Sequence, residues 1–456
     1  MLKSGVNVNE VIQPEALPPK QTPSRVKDEL PPQQGFLRRL GNRPELMHYN
    51  RLIALMIIIN LAYVGLVTKN TWRLGDIPLT LLSNLAIVNF TFAILLRQQY
   101  VINLFFKIAT SVPTSWPLAI RHLMGKVYHF GGMHVGGVMM GTIWFSAIAA
   151  SMTVRLMNGG ERVSLATAIV TYAILAILLV MVGFATPKYR ARYHDMFEMT
   201  HRFGGWTVLL LFWMQTILFA NDQGGPLLAS LGFWLLLLVT FSVALPWLRL
   251  KKVPVKIVKP SDHIALAQFN YGVTPFEGSS TTLSRSPLTE WHPFANIAAP
   301  DTEGFRLAIS RVGDWTGAFI DDVPSHVWVK GIPTAGVGNI EKLFKRVIWV
   351  ATGSGVGPCV PHLLTQKVPA KLVWSTRNPR KTYGTLVDEI LSVQPDAVIW
   401  DTDKNGRPDL VKLAYEAYKD FDAEAVIVIS NKKLTWQVVY DMESRGIPAY
   451  GAIWDS

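Results

Sequence analysis

Residues 346–364 read RVIWVATGSGVGPCVPHLL, and this stretch decides the fold of the C-terminal part of the chain. The apolar and β-branched run Val347–Ala351 predicts a buried parallel strand. The glycine-rich turn Thr352–Pro358 ends that strand, and a helical pattern follows. Glycines let a backbone approach a ligand closely, and the N–H groups at a helix start favour a pyrophosphate. An ordinary tight turn between a strand and a helix would have the same sequence, so the choice between this and a ligand-binding turn depends on the surrounding sequence.

Further strand patterns lie on both sides of this stretch. Downstream, buried strands alternate with helical patterns, which is typical of a doubly wound parallel sheet with its ligands at the carboxyl ends of the strands. Upstream, short β-rich runs alternate with turns, which is typical of a small antiparallel β-barrel. The upstream runs are Val255–Val258, Ile264–Tyr271, Thr281–Ser284, Ala295–Ile297, Phe305–Arg311 and His326–Val329, and the downstream runs are Lys371–Ser375, Ala397–Trp400, Ala425–Ile429 and Ala449–Ile453.

Composition indicates a membrane protein with a soluble part. Half of the 456 residues are hydrophobic and 15 are Trp. The net charge of +12 comes without a basic block interleaved with aromatic residues, so we expect basic flanks facing anionic lipid and no nucleic-acid partner. The single cysteine, Cys359, excludes a disulfide scaffold and a thiolate metal site.

Six apolar segments are long enough to cross about 30 Å of hydrocarbon. Lys and Arg concentrate in alternate loops, which predicts a multi-pass protein with both termini in the cytosol, in a membrane that the sequence does not identify. The shorter segment 98–115 contains Pro113 and is predicted to be interfacial or re-entrant. The six segments are 51–68, 77–96, 123–151, 164–186, 203–221 and 226–248.

These patterns divide the chain into four parts. Residues 1–45 are rich in proline and predict a disordered cytosolic tail. Residues 46–252 form the predicted six-span transmembrane domain, residues 253–340 the antiparallel barrel, and residues 341–456 the α/β domain.

Histidines stand near the cytosolic ends of two predicted spans, where burial in hydrocarbon is costly. Two imidazoles on facing helices fit the axial ligation of one b-type haem. His134 and His201, each near a Gly-Gly pair that would leave room for the macrocycle, are the first choice, with His129 as the alternative. Histidines that bond headgroups or loop carbonyls explain the pattern equally well. The outer half of the bundle has no His, so a complete electron path across the bilayer is not predicted.

A membrane bundle with histidines, a barrel with a His-Pro-Phe motif and a sheet that starts with the glycine turn together resemble the ferric reductase and NADPH oxidase superfamily. The cytosolic part resembles its ferredoxin reductase-type flavoprotein module. Three stretches look more closely like the membrane reductase region of fungal transmembrane proteins that elsewhere are fused to an adenylate-forming domain, which is not recognisable here. They are SRSPLTEWHPFANI at 284–297, STRNPRKTYG at 375–384 and SRGIPAYGAIWDS at 444–456, and the resemblance covers residues 47–456.

The resemblance implies a multi-domain fold, a six-helix transmembrane bundle with a ferredoxin reductase-type module, and FAD and NADPH as cofactors. It makes residues 253–340 the FAD-binding barrel and residues 341–456 the NAD(P)-binding domain. It assigns no catalytic residue. The implied flavin contacts are Trp291, His292, Pro293, Phe294, Ala295, Asn296, Arg311 and Trp454, and the implied nucleotide contacts are Gly353, Ser354, Gly355, Gly357, Pro358, Arg377 and Arg407.

Two positions depart from the family pattern, and one implied flavin contact has a second explanation. Ala295 replaces the hydroxyl residue that is usual after His-Pro-Phe, and Ser430-Asn431 replaces the usual Cys-Gly-Pro element. Trp454 fits stacking on the flavin and packing on the last strand equally well.

The expected function is therefore an integral membrane oxidoreductase. Electrons would pass from NADPH through FAD, with one inner-leaflet haem b as a further candidate carrier, to an unidentified acceptor, and the partners would be membrane lipid and the nicotinamide nucleotide. The alternative is a membrane-anchored nucleotide-binding sensor or biosynthetic scaffold whose reductase chemistry has decayed. The Ala295 and Ser430-Asn431 departures keep that alternative open.

Overall fold

The computed structural model describes residues 29–67, 77–158, 163–298 and 304–451. A helical part comes first, followed by an antiparallel sheet and then a parallel sheet. The helices of the first part are α1 (Phe36–Gly41), α2 (His48–Val67), α3 (Leu79–Leu95), α4 (Gln99–Ala109), α5 (Leu118–Met124), α6 (Gly131–Asn158), α7 (Leu165–Ala185), α8 (Pro187–Arg192), α9 (His194–Gln223) and α10 (Leu231–Ala244).

Five helical segments in the described ranges are long and apolar enough to cross a membrane, and α3 and α4 pass the same test only as a pair that is bent by 72°. They lie where the sequence predicts the six apolar segments. The third one, Leu118–Met157, runs for 40 residues. At 1.5 Å per residue this is about 60 Å, roughly twice the thickness of a hydrocarbon core. Its first part therefore extends beyond the apolar helices around it.

Glycines on α6 allow its neighbours to pack closely. A Cβ on Gly132 would lie 2.1 Å from the carbonyl oxygen of Tyr49 on α2, and a Cβ on Gly136 would lie 2.7 Å from the Cβ of Met56. On the side of α3, a Cβ on Gly137 would lie 3.1 Å from the Cβ of Ala93. Small residues at this spacing are how apolar helices approach one another when hydrophobic burial adds little.

The antiparallel sheet follows the last apolar helix directly. Its strand order is β1-β7-β4-β5-β6-β3-β2, with β8 paired to β4, so the path has two free ends and forms a half-barrel. The predicted antiparallel runs are confirmed. The strands are β1 (Lys251–Pro254), β2 (Lys256–Ser261), β3 (Ile264–Phe269), β4 (Ser279–Ser284), β5 (His292–Ala298), β6 (Phe305–Ser310), β7 (His326–Val329) and β8 (Thr334–Ala335), with helix α11 (Asp314–Asp322) between β6 and β7.

The second sheet is parallel, in the order β11-β10-β9-β12-β13. Its strands are almost wholly buried because helices cover both faces, as predicted for a doubly wound sheet. The elements are β9 (Val347–Thr352), α12 (Val360–Thr365), β10 (Ala370–Thr376), α13 (Pro379–Tyr383), α14 (Thr385–Val393), β11 (Val398–Asp401), α15 (Thr402–Asn405), α16 (Leu410–Asp420), β12 (Ala425–Ile429), α17 (Lys432–Glu443) and β13 (Ala449–Gly451).

The extended start of the third long segment docks on the parallel sheet through two buried cations. Arg121 forms a two-pronged ion pair with Glu424, at 2.7 and 3.0 Å, and also donates to the carbonyl oxygen of Leu343. Lys126 pairs with Glu443 at the end of α17. Burial pushes the pKa of Glu424 upward, but the hydrogen bonds from Arg121 and from the backbone N–H of Lys345, together with the charges of both residues, outweigh it, so the net pKa is lowered.

Part of the predicted disordered tail is ordered. Residues 1–28 lie outside the described residues, but Leu30 packs against the core beneath α17. The backbone N–H of Gln34 donates to the carbonyl oxygen of Ser444 at 2.7 Å, and Nε of Arg445 donates to that of Pro31 at 3.0 Å. The apolar contact and the satisfied backbone groups explain why this proline-rich segment is held in place.

Gly136→Ala tests the close packing of α2 on α6. The added Cβ would collide with Met56, so we expect a loss of about 1–3 kcal/mol in the free energy of unfolding. The matched control is Gly65→Ala on α2, where no atom lies within 4 Å of the added Cβ. Because Ala favours helix over Gly by up to about 1 kcal/mol, this control should be neutral or stabilising. Equal melting temperatures for the two variants in detergent would contradict the packing.

Candidate functional site

The strand order of the parallel sheet reverses between β9 and β12, and ligands of such sheets bind outside the carboxyl ends of the strands at this reversal. Thr352 ends β9 and Ser430 follows β12. Their hydroxyl oxygens lie 2.5 Å apart. The glycine turn starts at this point, as the sequence predicts. Ser430, a departure from the family pattern, therefore makes a specific contact at the centre of the site.

The three glycines of the turn have three different roles. Gly353 adopts a φ of +49°, which favours glycine. A Cβ on Gly355 would lie 2.1 Å from the carbonyl oxygen of Ile429, so this glycine serves the packing of the turn on β12 and not the approach of a ligand. At Gly357 a Cβ would meet nothing closer than 3.4 Å, and one of its neighbours is the carbonyl oxygen of Ala308 on β6. Gly357 is buried, and an added Cβ would make ordinary contact with β6, so the turn packs on the antiparallel sheet at this point.

Two aromatic residues that sequence reasoning missed hold the turn from below. Nε1 of Trp374 on β10 donates to the carbonyl oxygen of Gly353 at 3.0 Å. The ring of Tyr383 packs edge-on against Trp374, with 4.8 Å between the centroids. Burial raises the pKa of Tyr383, even though hydrogen bonds with Ser354 and Thr376 lower it. The phenol is therefore a neutral donor beside the turn.

A stack of aromatic rings packs on the core of the antiparallel half-barrel. His292 stacks on Trp315 with 4.1 Å between ring centroids, and Phe294 lies 6.0 Å from the same indole. Trp315 in turn packs on Phe319, at 5.2 Å. Trp315 belongs to α11, the helix that begins just after β6, and its Nε1 is buried without a partner among the described residues. The sequence does not predict a role for Trp315, because the His-Pro-Phe motif lies on β5 and Trp315 lies on the helix after β6.

Glu290 contacts the imidazole of His292, and the sequence analysis does not predict this contact. Its Oε2 lies 2.9 Å from Nε2 of His292, and its Oε1 accepts hydrogen bonds from Ser284, Arg285 and Ser286. Burial pushes the pKa of Glu290 upward, but the hydrogen bonds from His292 and the loop outweigh it, so the net pKa is lowered. The carboxylate therefore stays charged next to the imidazole.

The structure separates Trp291 from the other residues of its motif. Trp291 stands just before β5, and its ring contacts differ from those of His292. It is buried against Trp247 at the end of the helical part, and Nζ of Lys330 lies 4.1 Å from the centroids of both rings. Burial, followed by the charge of Arg202, lowers the pKa of Lys330 to about 8. Trp291 is thus part of the joint with the helices, and its predicted contact with a flavin does not fit this position.

Asn296 and Ala295 continue β5. The side-chain N–H of Asn296 donates to Oγ of Ser279 at 2.8 Å, while its Oδ1 is buried without a partner among the described residues. Ala295 pairs with Ser280 across the sheet, and Pro293 pairs with Thr282. The Oδ1 of Asn296 is therefore a hydrogen-bond acceptor without a partner among the described residues of the antiparallel half-barrel.

The predicted arginines are exposed and differ in their partners. Arg311 makes two hydrogen bonds to Asp321, at 2.9 and 2.5 Å, which raise the pKa of its guanidinium, so a phosphate there would have to displace a carboxylate. Arg377 follows β10 at the carboxyl edge, 81% exposed, with Asp403 4.0 Å away. Arg407 is exposed in the loop after α15, and Pro358 is half-buried in the turn. Trp454 lies outside the described residues.

The geometry does not support the predicted haem. The space that Gly136 and the Gly204-Gly205 pair were expected to leave is filled by protein, since a Cβ on Gly204 would lie 3.0 Å from Sδ of Met181. Nδ1 of His134 lies 2.9 Å from the carbonyl oxygen of Ala93, and His201 packs on Phe197. His129 is sandwiched between His48 and Tyr128. Within the described ranges no cluster of three or more His, Cys, Asp or Glu side chains is arranged to hold a metal ion.

Cys359 is not a reactive group. Its side chain is fully buried, and burial, followed by the nearby charge of Glu341, raises the pKa of the thiol. Its Sγ–H donates to the carbonyl oxygen of Gly355 at 3.4 Å. Cys359 is therefore a small packing residue at the start of α12.

Alanine substitutions at two glycines of the turn should separate folding from binding. Gly355→Ala places a Cβ against the backbone of β12, so we expect it to lower the free energy of unfolding by about 1–3 kcal/mol. Gly357→Ala has a right-handed backbone and only ordinary contacts for the new Cβ, so it should fold normally but weaken nucleotide binding, because it adds a methyl group to the turn at the candidate site. Thermal unfolding with and without added nucleotide measures both. Normal stability of Gly355→Ala would refute its packing role.

Comparison with known proteins places this site in context. Residues 337–456 match the family model described as the C-terminal domain of adenylate-forming reductase 03009. Two curated proteins of Coprinopsis cinerea are similar over nearly the whole chain. Adenylate-forming reductase 06235 is 44% identical over 444 residues, which cover 94% of this chain and 42% of that protein. Adenylate-forming reductase 03009 is 45% identical over 432 residues, which cover 93% of this chain and 42% of that protein.

Among solved structures, a ferredoxin NADP+ reductase from Neisseria gonorrhoeae with bound FAD and NADP aligns with 45% of this chain and 98% of its own. Its identity is 10% and the TM-score is 0.35, so this likeness carries no conclusion about ligands.

These relatives correct the expected function. They are adenylate-forming reductases, so the expected electron route of the ferric reductase and NADPH oxidase type is wrong, and so is the alternative of a sensor or scaffold with decayed chemistry. The resemblance to fungal proteins that carry an adenylate-forming domain agrees with the comparisons. The chain spans about two fifths of the length of the two relatives, and over that length it is similar to enzymes named as reductases.

Proposed function

We propose that this chain is the reductase part of an adenylate-forming reductase. It would deliver hydride to an acyl group that an adenylate-forming region outside residues 1–456 has activated. The observation that carries this proposal is the similarity of 94% of the chain to 42% of adenylate-forming reductase 06235. A reductase part needs a place where a hydride donor and an acceptor meet, and the cleft between the two sheets has that form.

The nicotinamide nucleotide would bind at the carboxyl edge of the parallel sheet. The glycine turn and the hydroxyl pair Thr352–Ser430 both lie at the strand reversal. Arg377 stands after the neighbouring strand with its guanidinium in solvent, where it would meet an adenosine 2′-phosphate. Arg binds phosphate with two parallel hydrogen bonds, which favours NADPH over NADH.

The antiparallel half-barrel offers groups that would bind FAD. It offers stacked rings, and two buried polar atoms without partners among the described residues, Nε1 of Trp315 and Oδ1 of Asn296, supply one donor and one acceptor. A bound flavin would supply a ring that accepts hydride from the nucleotide and passes it on. The chain itself would position the two ligands across the cleft and keep His292 oriented through Glu290.

We also propose that the apolar helices anchor the chain in a membrane, with the two sheets on the cytosolic side. The lengths and composition of the six segments support this, and so does the concentration of Lys and Arg in the loops on that side. Helix α7 illustrates the pattern, since apolar residues such as Leu179 and Ile169 are exposed on the side of this helix that does not pack on its neighbours.

The direct test supplies the purified chain with a synthetic acyl-adenylate and NADPH. Hydride addition to the acyl carbon with departure of AMP would give an aldehyde, so we expect NADPH oxidation that depends on the acyl-adenylate, with one aldehyde and one AMP formed per NADPH. The control is the same acid without activation, which should remain unreduced. Oxidation of NADPH at the same rate with and without the acyl-adenylate, and no aldehyde, would refute the proposal.

Trp315→Ala tests the role of the stacked aromatic rings in flavin binding. Loss of the indole removes the ring that stacks on His292 and Phe294, so we expect flavin to be lost during purification, as measured by its visible absorbance. Stacked aromatic pairs contribute about 0.5–1.5 kcal/mol beyond burial, so Trp315→Phe should retain most of the flavin. Full flavin content in Trp315→Ala, with unchanged folding, would show that the flavin site lies elsewhere.

A further inference from the structure

Helix α4 has two faces with different surroundings. Three residues separate it from α3, and the two helices are bent by 72° relative to each other. One face carries Phe106, which is 3% exposed and packs on Phe130. The other face carries Tyr100, Leu104 and Ile108, one turn apart, which are 45, 53 and 59% exposed. This apolar stripe has no protein cover among the described residues.

The inner face of α4 binds the segment that joins the two sheets. The side-chain amide of Gln99 accepts from the backbone N–H of Ile332 at 3.0 Å and donates to its carbonyl oxygen at 2.9 Å. Asn103, one turn later, accepts from the N–H of Ala335 at 2.8 Å and donates to the carbonyl oxygen of Pro333 at 2.9 Å. Two amides on one helix thus pair with this backbone as a neighbouring strand would. We call Gln99 and Asn103 the amide clamp.

The clamp holds the chain where it leaves the antiparallel sheet. A Cβ on Gly331, whose φ is +70°, would lie 1.9 Å from Oε1 of Gln99. The next element, β8, pairs with β4, and the chain then continues through the 3₁₀ segment Val337–Leu343 into β9. Any change in the angle between the two sheets has to pass through this connection, so the position of α4 constrains the cleft.

We propose that α4 lies on the membrane surface, with Tyr100, Leu104 and Ile108 in the lipid headgroup region of the cytosolic leaflet, and that the amide clamp thereby fixes the cleft relative to the membrane. This inference rests on the membrane anchoring proposed above. The helix begins where a membrane-length apolar segment ends, and the bend turns it away from the direction of that segment. An apolar stripe flanked by a cation, here Lys107, is typical of a helix in the interface plane.

The size of the stripe argues against a second copy of this chain as its occupant. Three partly exposed side chains on an 11-residue helix offer a few hundred Å² at most, while a stable dimer buries roughly 800 Å² per partner. A lipid surface requires no such minimum, because the stripe only adds to a membrane contact that the long helices already make. The partner that fits is therefore the headgroup region of a bilayer.

The test uses the single, buried cysteine of the chain, which leaves added cysteines as the only reactive ones. Leu104→Cys is labelled with a fluorophore and reconstituted in phosphatidylcholine nanodiscs that carry a nitroxide either near the headgroup or near the chain end. We expect several-fold stronger quenching by the headgroup nitroxide. Stronger quenching by the chain-end nitroxide would make α4 a re-entrant helix, and absence of quenching would place it in water or against another protein. Either result overturns the proposal.

Two matched controls distinguish this inference from the membrane anchoring. Leu179→Cys on α7 should be quenched most strongly from the chain end, and Ser392→Cys, exposed on α14, should not be quenched. Absence of quenching at position 179 would refute the membrane anchoring itself. Quenching there without quenching at 104 would refute only the inference on α4.

The amide clamp has its own test. In the double variant Gln99→Ala and Asn103→Ala, the backbone amides of Ile332 and Ala335 lose their acceptors, so we expect their hydrogen exchange to become several-fold faster. The control Leu104→Ala keeps both amides and should leave this exchange unchanged. Unchanged protection in the double variant would show that α4 does not hold the connection.

Discussion

Two buried cations at the start of the third long helical segment hold the helical part and the parallel sheet together. Arg121 and Lys126 are 4 and 6% exposed, and their partners Glu424 and Glu443 lie about 300 residues later in the chain. Removing a charge from water costs several kcal/mol, and the ion pair repays this only when its geometry is good. Arg121 meets that condition with two hydrogen bonds to the carboxylate of Glu424 and two to the backbone carbonyl oxygens of Trp116 and Leu343. Loss of one partner would leave an uncompensated buried charge, at a cost of roughly 3–5 kcal/mol.

A third buried pair links this joint to the candidate site. His362 on α12, the helix that follows the glycine turn, lies 2.6 Å from Glu341, and both side chains are almost fully buried. Glu341 belongs to the 3₁₀ segment between the two sheets, and His362 stacks on Trp349 of β9. The segment that connects the sheets thus contacts the helix after the glycine turn on one side. On the other side it contacts the helical part through the hydrogen bond between Leu343 and Arg121. The geometry of the cleft depends on polar contacts that are satisfied only when all three parts are in place.

The sequence predicts most of the fold, because each apolar helix and each buried strand is encoded by a local pattern. It also places the glycine turn at the correct point of the sheet. Local patterns say nothing about distant partners, and the errors have this origin. Gly355 packs on a carbonyl group of a strand some seventy residues away, and Trp315 stacks on a motif from another element. By sequence alone His122, next to the predicted span 123–151, resembles the other membrane histidines, but its Nδ1 lies 2.8 Å from the hydroxyl group of Tyr450 on β13.

The last strand of the parallel sheet has an exposed edge only in principle. One side of β13 pairs with β12, and the other is covered by the 3₁₀ segment Gly125–Phe130. Nζ of Lys126 donates to the carbonyl oxygen of Ala449, and the backbone N–H of Gly451 donates to the hydroxyl group of Tyr128 at 3.4 Å. An uncovered edge strand is a template for pairing with other chains. A fragment that keeps the two sheets but lacks the helices would uncover a strand edge and two unpaired carboxylates at once, so its insolubility would reflect the loss of this cover and not an inability of the sheets to fold.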